Sequence, residues 1–175
     1  MEEAPAHSQP TPARRRIIVA EPRDAWFLAL AAAVIGLDQL TKWLIREFVE
    51  RGDSYPSDGL LRIVHFTNTG AAFGVLQNAG PLLAVTSVIG MAAILIYLFN
   101  PGFAHPLMRV GLALMLGGAV GNLIDRVASG EVVDFIKVPD FPAFNVADSA
   151  ITIGVVVLLW ALLREQRTPE KSGSS

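Results

Sequence analysis

Four stretches of this chain stay apolar for about the length of a membrane-crossing helix, and polar, charged and Gly- or Pro-containing segments separate them. Ala25 to Leu37 is apolar throughout and can extend past Asp38, while Pro81 to Phe99 is interrupted by Thr86 and Ser87. Leu107 to Ile124 contains Arg109 and Asn122, and Phe144 to Leu163 carries Asn145 and Asp148 near its start. At about 1.5 Å per residue, some 18 to 20 helical residues cover roughly 27 to 30 Å, the thickness of a hydrocarbon core. The pattern therefore predicts four transmembrane helices.

Two segments between the spans are too polar to cross a bilayer and too apolar to be simple loops. From Gly59 to Val75, residues such as Leu61, Ile63, Val64, Phe66 and Phe73 suggest two short strands around the turn Asn68-Thr69-Gly70. From Gly130 to Val138, the run Glu-Val-Val-Asp-Phe-Ile-Lys-Val suggests another. The expected fold class is membrane all-α with a small β element. Its sheet lies between spans one and two and between spans three and four, resting on the outer leaflet so that no open edge enters lipid.

Composition supports the bilayer as solvent: 52% of the 175 residues are hydrophobic and 17% charged. The net charge of −2 leaves no basic surface of the size that nucleic acid needs. Without cysteine there are no disulfides, thiolate metal sites or cysteine nucleophiles. His7, His65 and His105 are isolated, so no metal site is expected, and nothing calls for a cofactor. The first 22 residues, with four prolines, and residues 166–175 read as disordered cytoplasmic tails around a membrane domain at 23–165. Arg14, Arg15 and Arg16 before the first apolar run could mark a cleaved signal peptide, but the run leads into Asp38, Gln39 and Lys42 rather than a small-residue cleavage site. An uncleaved anchor fits better. Arg14, Arg15, Arg16, Arg23, Arg109, Arg164, Arg167 and Lys171 flank one side of the spans. Lys42, Arg46, Arg51, Arg62, Arg126 and Lys137 fall on the other, among more acidic neighbours. This bias puts both termini in the cytoplasm.

Topology then sends distant carboxylates to one level. Asp38 ends span one, Asn122 and Asp125 end span three, Asn145 and Asp148 begin span four, and Asp134 lies on the segment between the last two. Ionisable groups at membrane depth are costly and mark function by default. Each also has a structural reading. Asp38 can pair with Lys42 one helical turn on, Asp125 can pair with Arg126, and Asn145 or Asp148 can cap span four. Asn68-Thr69-Gly70 can be a turn and nothing more.

Asp134 is harder to place structurally, because Val132, Val133, Phe135 and Ile136 surround it and offer no partner charge. A carboxylate so placed is expected to hold its proton. Beside Asp148 it would share one proton, and such a pair can activate water with one oxygen and protonate a leaving amine with the other. The residues favour Asp134 with Asp148 and leave a pairing through Asp125 open. Ser129 and Ser149 have no histidine near them in sequence, no GxSxG elbow is present, and Lys42 has no serine partner. Gly117, Gly118 and Gly121 suit close helix packing rather than a phosphate loop.

Five segments, Asp38-Gln-Leu-Thr-Lys42, Asn68-Thr-Gly-Ala-Ala-Phe73, Gly117-Gly-Ala-Val-Gly-Asn-Leu-Ile-Asp-Arg126, Val133-Asp-Phe135 and Phe144-Asn-Val-Ala-Asp-Ser149, together resemble the bacterial lipoprotein signal peptidases, also called signal peptidase II. The resemblance runs from about Asp24 to Leu163. It implies an aspartic endopeptidase of the bacterial cytoplasmic (inner) membrane that cuts the signal peptide from prolipoproteins just before a diacylglyceryl-modified cysteine. The implied partners are the lipid-modified precursors and the phospholipid bilayer, with no nucleic acid, and the enzyme is expected to act as a monomer. The family's catalytic aspartates fall on Asp134 and Asp148. Its substrate-lining polar residues fall on Asn68, Asn122, Arg126 and Asn145, with Asp38, Lys42, Gly70 and Asp125 in support, at a site near the extracytoplasmic face. Two rival classes predict other patterns. A transporter or proton channel would distribute carboxylates through the membrane depth, and a noncatalytic assembly or lipid-binding protein would tolerate Asp134→Asn.

Overall fold

The computed structural model describes residues 25–70, 80–98 and 105–166. The two expected tails, apart from Gln166 at the end of the last helix, and the second strand expected at 71–75 lie outside the described residues. The element order is α1 (Ala25–Phe48), β1 (Ser54–Tyr55), β2 (Arg62–Asn68), α2 (Gly80–Leu98), α3 (Pro106–Ser129), β3 (Val132–Lys137) and α4 (Val146–Gln166). All four helices are long and apolar enough to cross a membrane.

Helix α3 is the central one. Of its most apolar window 56% is buried, against 22% in α1 and α4 and 6% in α2. Small residues make that position possible, as the glycine pattern predicts. A Cβ on Gly118 would stand 2.4 Å from the carbonyl oxygen of Ala147 on α4, and one on Gly117 would stand 2.8 Å from that of Ala31 on α1. Gly111 and Gly154 approach each other's backbones across α3 and α4 in the same way. Among the described elements helix α2 packs on α3 alone, and it exposes Val85, Ile89 and Ile96, a surface suited to lipid.

Local signals fix the helix ends. His105 caps α3, its Nδ1 accepting from the Leu107 N–H at 3.3 Å, and Pro106 opens the first turn, where a missing N–H costs nothing. Gly130 closes the helix in the left-handed conformation, φ 77°, and donates its N–H to the Arg126 carbonyl at 3.1 Å. Span four begins later than expected. Phe144 is extended, forming a bridge with Ile136, and the helix starts at Val146. Span one is longer than its apolar run: α1 continues to Phe48 because Lys42 and Arg46 find partners inside the protein.

The ends of α1 and α3 and the start of α4 carry an antiparallel sheet of order β1-β2-β3. Strand β2 pairs with β3 through Arg62 with Lys137, Phe66 with Asp134 and Asn68 with Val132, and the register shifts between Ile63 and Phe66. Val133 and Phe135 pack against Ile45 of α1, which seats β3 on the helices. Strand β1 is not foreseen by the hydrophobic pattern.

Candidate active site

The site grows from a cation inside the bundle. Lys42 is fully buried on α1, and its ammonium donates to three acceptors: Asp38 Oδ2 at 2.8 Å, Asp125 Oδ2 at 2.9 Å and Asn122 Oδ1 at 2.8 Å. An ammonium has three N–H bonds, so each is used. Saturation is what makes a buried charge tolerable, since removing one member of such a set costs about 3–5 kcal/mol. Asp38, one turn before Lys42, spends its other oxygen on the Ala147 N–H of α4 at 2.9 Å. That bond ties α1 to the first turn of α4. Gly121 makes room for the carboxylate, because a Cβ there would stand 2.5 Å from Asp38 Oδ2, the oxygen that meets Lys42.

Asp125 departs from the sequence expectation. Its partners are Lys42 and Arg46, the latter at 2.9 Å, and not the adjacent Arg126. Neighbours in a helix point about 100° apart, so residues 125 and 126 face different surroundings. Arg126 turns toward a cleft, and its Nε is buried with no hydrogen-bond partner among the described residues.

Asn122 carries the network onward. Its oxygen faces Lys42, so its amide nitrogen must point away, and it donates to Asp148 Oδ1 at 2.8 Å. Asp148 and Asn145 also form a reciprocal cap on α4. The Asp148 N–H donates to Asn145 Oδ1 at 2.9 Å, and the Asn145 N–H donates to Asp148 Oδ2 at 3.3 Å. Asn145 is fully buried, and its amide nitrogen donates to Asp134 Oδ1 at 2.8 Å. One asparagine therefore binds both carboxylates. The second Asp134 oxygen accepts from Asn68 Nδ2 at 3.2 Å, while Asn68 Oδ1 accepts from the Gly70 N–H at 2.9 Å, an Asx turn that fixes the amide. Burial, and next the nearby charge of Asp148, push the Asp134 carboxyl up to about 7.

Both carboxylates line a cleft of about 590 Å³ together with Asn68, Gly70, Asn122 and Arg126. Its remaining wall is largely apolar, with Val132, Phe141, Phe144, Ile151 and Ile153. An apolar trough lined by two carboxylates, one of them raised to about 7, suits hydrolysis of a peptide bond at the end of an apolar segment.

The family model for signal peptidase (SPase) II matches residues 30–164. The chain belongs to the signal peptidase II family. It is 47% identical over 154 residues to a lipoprotein signal peptidase of Geobacillus thermodenitrificans, covering 85% of this chain and 96% of that one. A lipoprotein signal peptidase of Brevibacillus brevis is 45% identical over 139 residues, 77% of this chain and 92% of the relative. A bacterial membrane enzyme solved by the in meso method at 2.3 Å resolution superposes with a TM-score of 0.79 at 34% identity, over 86% of this chain and 95% of the other. A second such enzyme, solved at 1.9 Å resolution, gives 0.73 at 36% identity, over 81% and 94%.

In this member of the family every predicted site residue falls within one connected region at the sheet end of the bundle. Asp134, Asp148, Asn68, Gly70, Asn122 and Arg126 reach the cleft, Asn145 bridges the carboxylates from beneath, and Asp38, Lys42 and Asp125 form the ionic base. Two contributors were missed by the sequence reading. Gln39 donates to Asp38 Oδ2 at 3.2 Å and to the Gly121 carbonyl at 3.1 Å, and Arg46 neutralises Asp125. The spacing Asp38, Lys42, Arg46 is a signal that could have found the second, because three polar residues at four-residue intervals share one helix face.

Proposed function

We infer that Asp134 and Asp148 are the catalytic pair with which this membrane peptidase cleaves the signal peptide from a diacylglyceryl-modified prolipoprotein, just before the lipidated cysteine. The observation that carries the reading is Asn145, whose amide N–H and backbone N–H hold one oxygen of each carboxylate at the mouth of a largely apolar cleft.

The pair works with one proton between its two members. The ionised carboxylate takes a proton from water as the water oxygen bonds to the substrate carbonyl carbon, and the protonated carboxyl gives its proton to the developing oxyanion. As the C–N bond breaks, the proton taken from water passes to the leaving amine, and a hydroxyl of the tetrahedral intermediate returns its proton to the other carboxylate as the carbonyl re-forms, leaving the pair singly protonated for the next cycle. Asn68, Asn122, Arg126 and Asn145 bind substrate or hold the pair in position. Arg126 brings a cation within electrostatic reach of Asp148 and Asp134, with a buried Nε–H free for a substrate carbonyl. Asp38, Lys42, Gly70 and Asp125 support that set. Apolar walls suit the signal helix and the acyl chains, whose buried methylenes contribute about 0.8 kcal/mol each. The same reading makes 23–165 the working unit, active as a monomer in the bacterial inner membrane, with both termini cytoplasmic and the cleft near the extracytoplasmic face.

The test uses the purified full chain with diacylglyceryl-modified and unmodified precursor. Asp134→Asn and Asp148→Asn keep side-chain size, so folding survives while cleavage of the modified precursor falls by at least about 10³- to 10⁴-fold, and unmodified precursor is a poor substrate throughout. Near-normal cleavage by either variant rejects the pair.

A further inference from the structure

Asn68 and Asp134 stand in a wall between two clefts. Beyond it from the apolar cleft is a second space of about 550 Å³, lined by Gly52, Ser54, Arg62, His65, Thr67 and Lys137 among others. The chemistry above makes no use of it. Apolar atoms make up most of its wall, as in the first cleft, but two polar side chains set into it carry buried nitrogens without a hydrogen-bond partner among the described residues: Arg62 Nε and His65 Nε2. His65 is only 7% exposed. Its Nδ1 lies 2.7 Å from the Val49 carbonyl, which can only accept, so the proton of the neutral ring sits on Nδ1 and Nε2 presents a lone pair. Arg62 Nε–H is a donor in every protonation state it reaches. The cleft thus holds one unsatisfied donor and one unsatisfied acceptor, each costly to leave buried and unpaired.

A regular strand would send Arg62 and His65, three positions apart, to opposite faces. Both residues nevertheless line the same cleft, beside a register shift between Ile63 and Phe66. Such irregularities re-aim side chains beside active sites. A free donor and a free acceptor are what the C=O and N–H of an extended polypeptide complete. The direction of the substrate agrees. With its apolar segment and acyl chains in the cleft walled by Ile151, Ile153 and Phe144, the chain past the scissile bond would leave across Asp134 toward Arg62 and His65.

We propose that this second cleft receives the backbone of the mature polypeptide just past the lipidated cysteine, with Arg62 Nε–H donating to a substrate carbonyl and His65 Nε2 accepting from a substrate N–H. The proposal rests on Asp134 and Asp148 as the catalytic pair. Its test compares two diacylglyceryl-modified precursors with the same signal segment, one ending at the modified cysteine as an amide and one continuing for several residues. Wild-type enzyme is expected to cleave the longer with kcat/KM about tenfold higher, the yield of two ordinary hydrogen bonds. His65→Asn keeps a nitrogen where Nδ1 meets the Val49 carbonyl but removes Nε2, and Arg62→Met keeps the apolar stem but removes Nε–H. Each variant lowers the long-to-short ratio about threefold or more, through KM. A wild-type ratio near one overturns the proposal, as do variants that slow both precursors in equal proportion. The catalytic reading fails separately: an active Asp134→Asn rejects the pair, whereas an inactive Asp134→Asn with a ratio near one rejects the exit groove alone.

Discussion

Asp134 lies between the buried side chains of Val133 and Phe135, and its two oxygens meet amide N–H groups from Asn68 and Asn145. Those donors favour the ionised carboxylate, but burial and Asp148 outweigh them, so the carboxyl keeps its proton up to about pH 7. The folded value is above the ordinary carboxylate range. This group's stabilising effect is therefore full below that range and lost as pH rises through about 7. With Asp134 and Asp148 as the proposed pair, catalysis should follow the same titration, the singly protonated pair being lost on the alkaline side. Asn68→Ala removes a donor to the ionised form, so the alkaline limb of kcat/KM should move to higher pH while the maximum falls. A limb that moves to lower pH would show that Asn68 does not act on this carboxyl. The special character of Asp134 was legible in its neighbours, because an acidic residue inside Val-Val-Asp-Phe-Ile has few structural reasons to be there. The fate of Asp125 was not legible. Adjacency to Arg126 suggested a pair, whereas helical geometry gave the carboxylate to Lys42 and Arg46 on another element.

At the level of elements, the close approach of α3 to α4 sets where Asp148 stands. Ala147, whose carbonyl oxygen touches the Gly118 position, immediately precedes Asp148, and its N–H is the one held by Asp38. Gly118→Ala would force that carbonyl away, an overpacking cost of about 1–3 kcal/mol that also displaces the first turn of α4. Thermal unfolding should occur at a lower temperature, and kcat should fall even where the protein remains folded. Gly36→Ala is the control, since nothing lies within 4 Å of a Cβ at that helical position. It should leave stability unchanged or raise it by up to about 1 kcal/mol. Equal loss in both variants would mean that generic helix effects, not the α3–α4 contact, control the site. The four spans were legible because each is a long apolar run. Strand β1 was not, because Ser54 and Tyr55 make a strand too short to show alternation. Phe144 looked like the first residue of span four for a related reason. It is apolar, but its backbone bonds Ile136, and the helix signal proper is the Asn145–Asp148 cap.

Over the whole molecule, the sheet, both clefts and the ionic base lie at one end of the helical bundle, and the opposite ends of the spans carry Arg109 and Arg164. The charge bias along the sequence predicts that the Arg109 and Arg164 end faces the cytoplasm, which would put the cleft where an exported precursor presents its cleavage site. Burial of Lys42 strengthens that assignment, because a cation saturated by Asp38, Asp125 and Asn122 presents no free charge to hold its end of the bundle inside. The absence of native cysteine makes the orientation measurable without background. Single cysteines at Ser57 and Ala128, both exposed at the sheet end, should react with an impermeant thiol reagent in intact cells. Those at Ser8 and Ser172 should react only after the membrane is opened. Ala128 is a better site than Gly130, whose left-handed backbone would strain any side chain placed there. Labelling of Ser8 and Ser172 in intact cells, with Ser57 and Ala128 protected, would turn the bundle over. It would place the carboxylate pair on the cytoplasmic side, and the assignment of the cleft to exported precursors would have to be withdrawn.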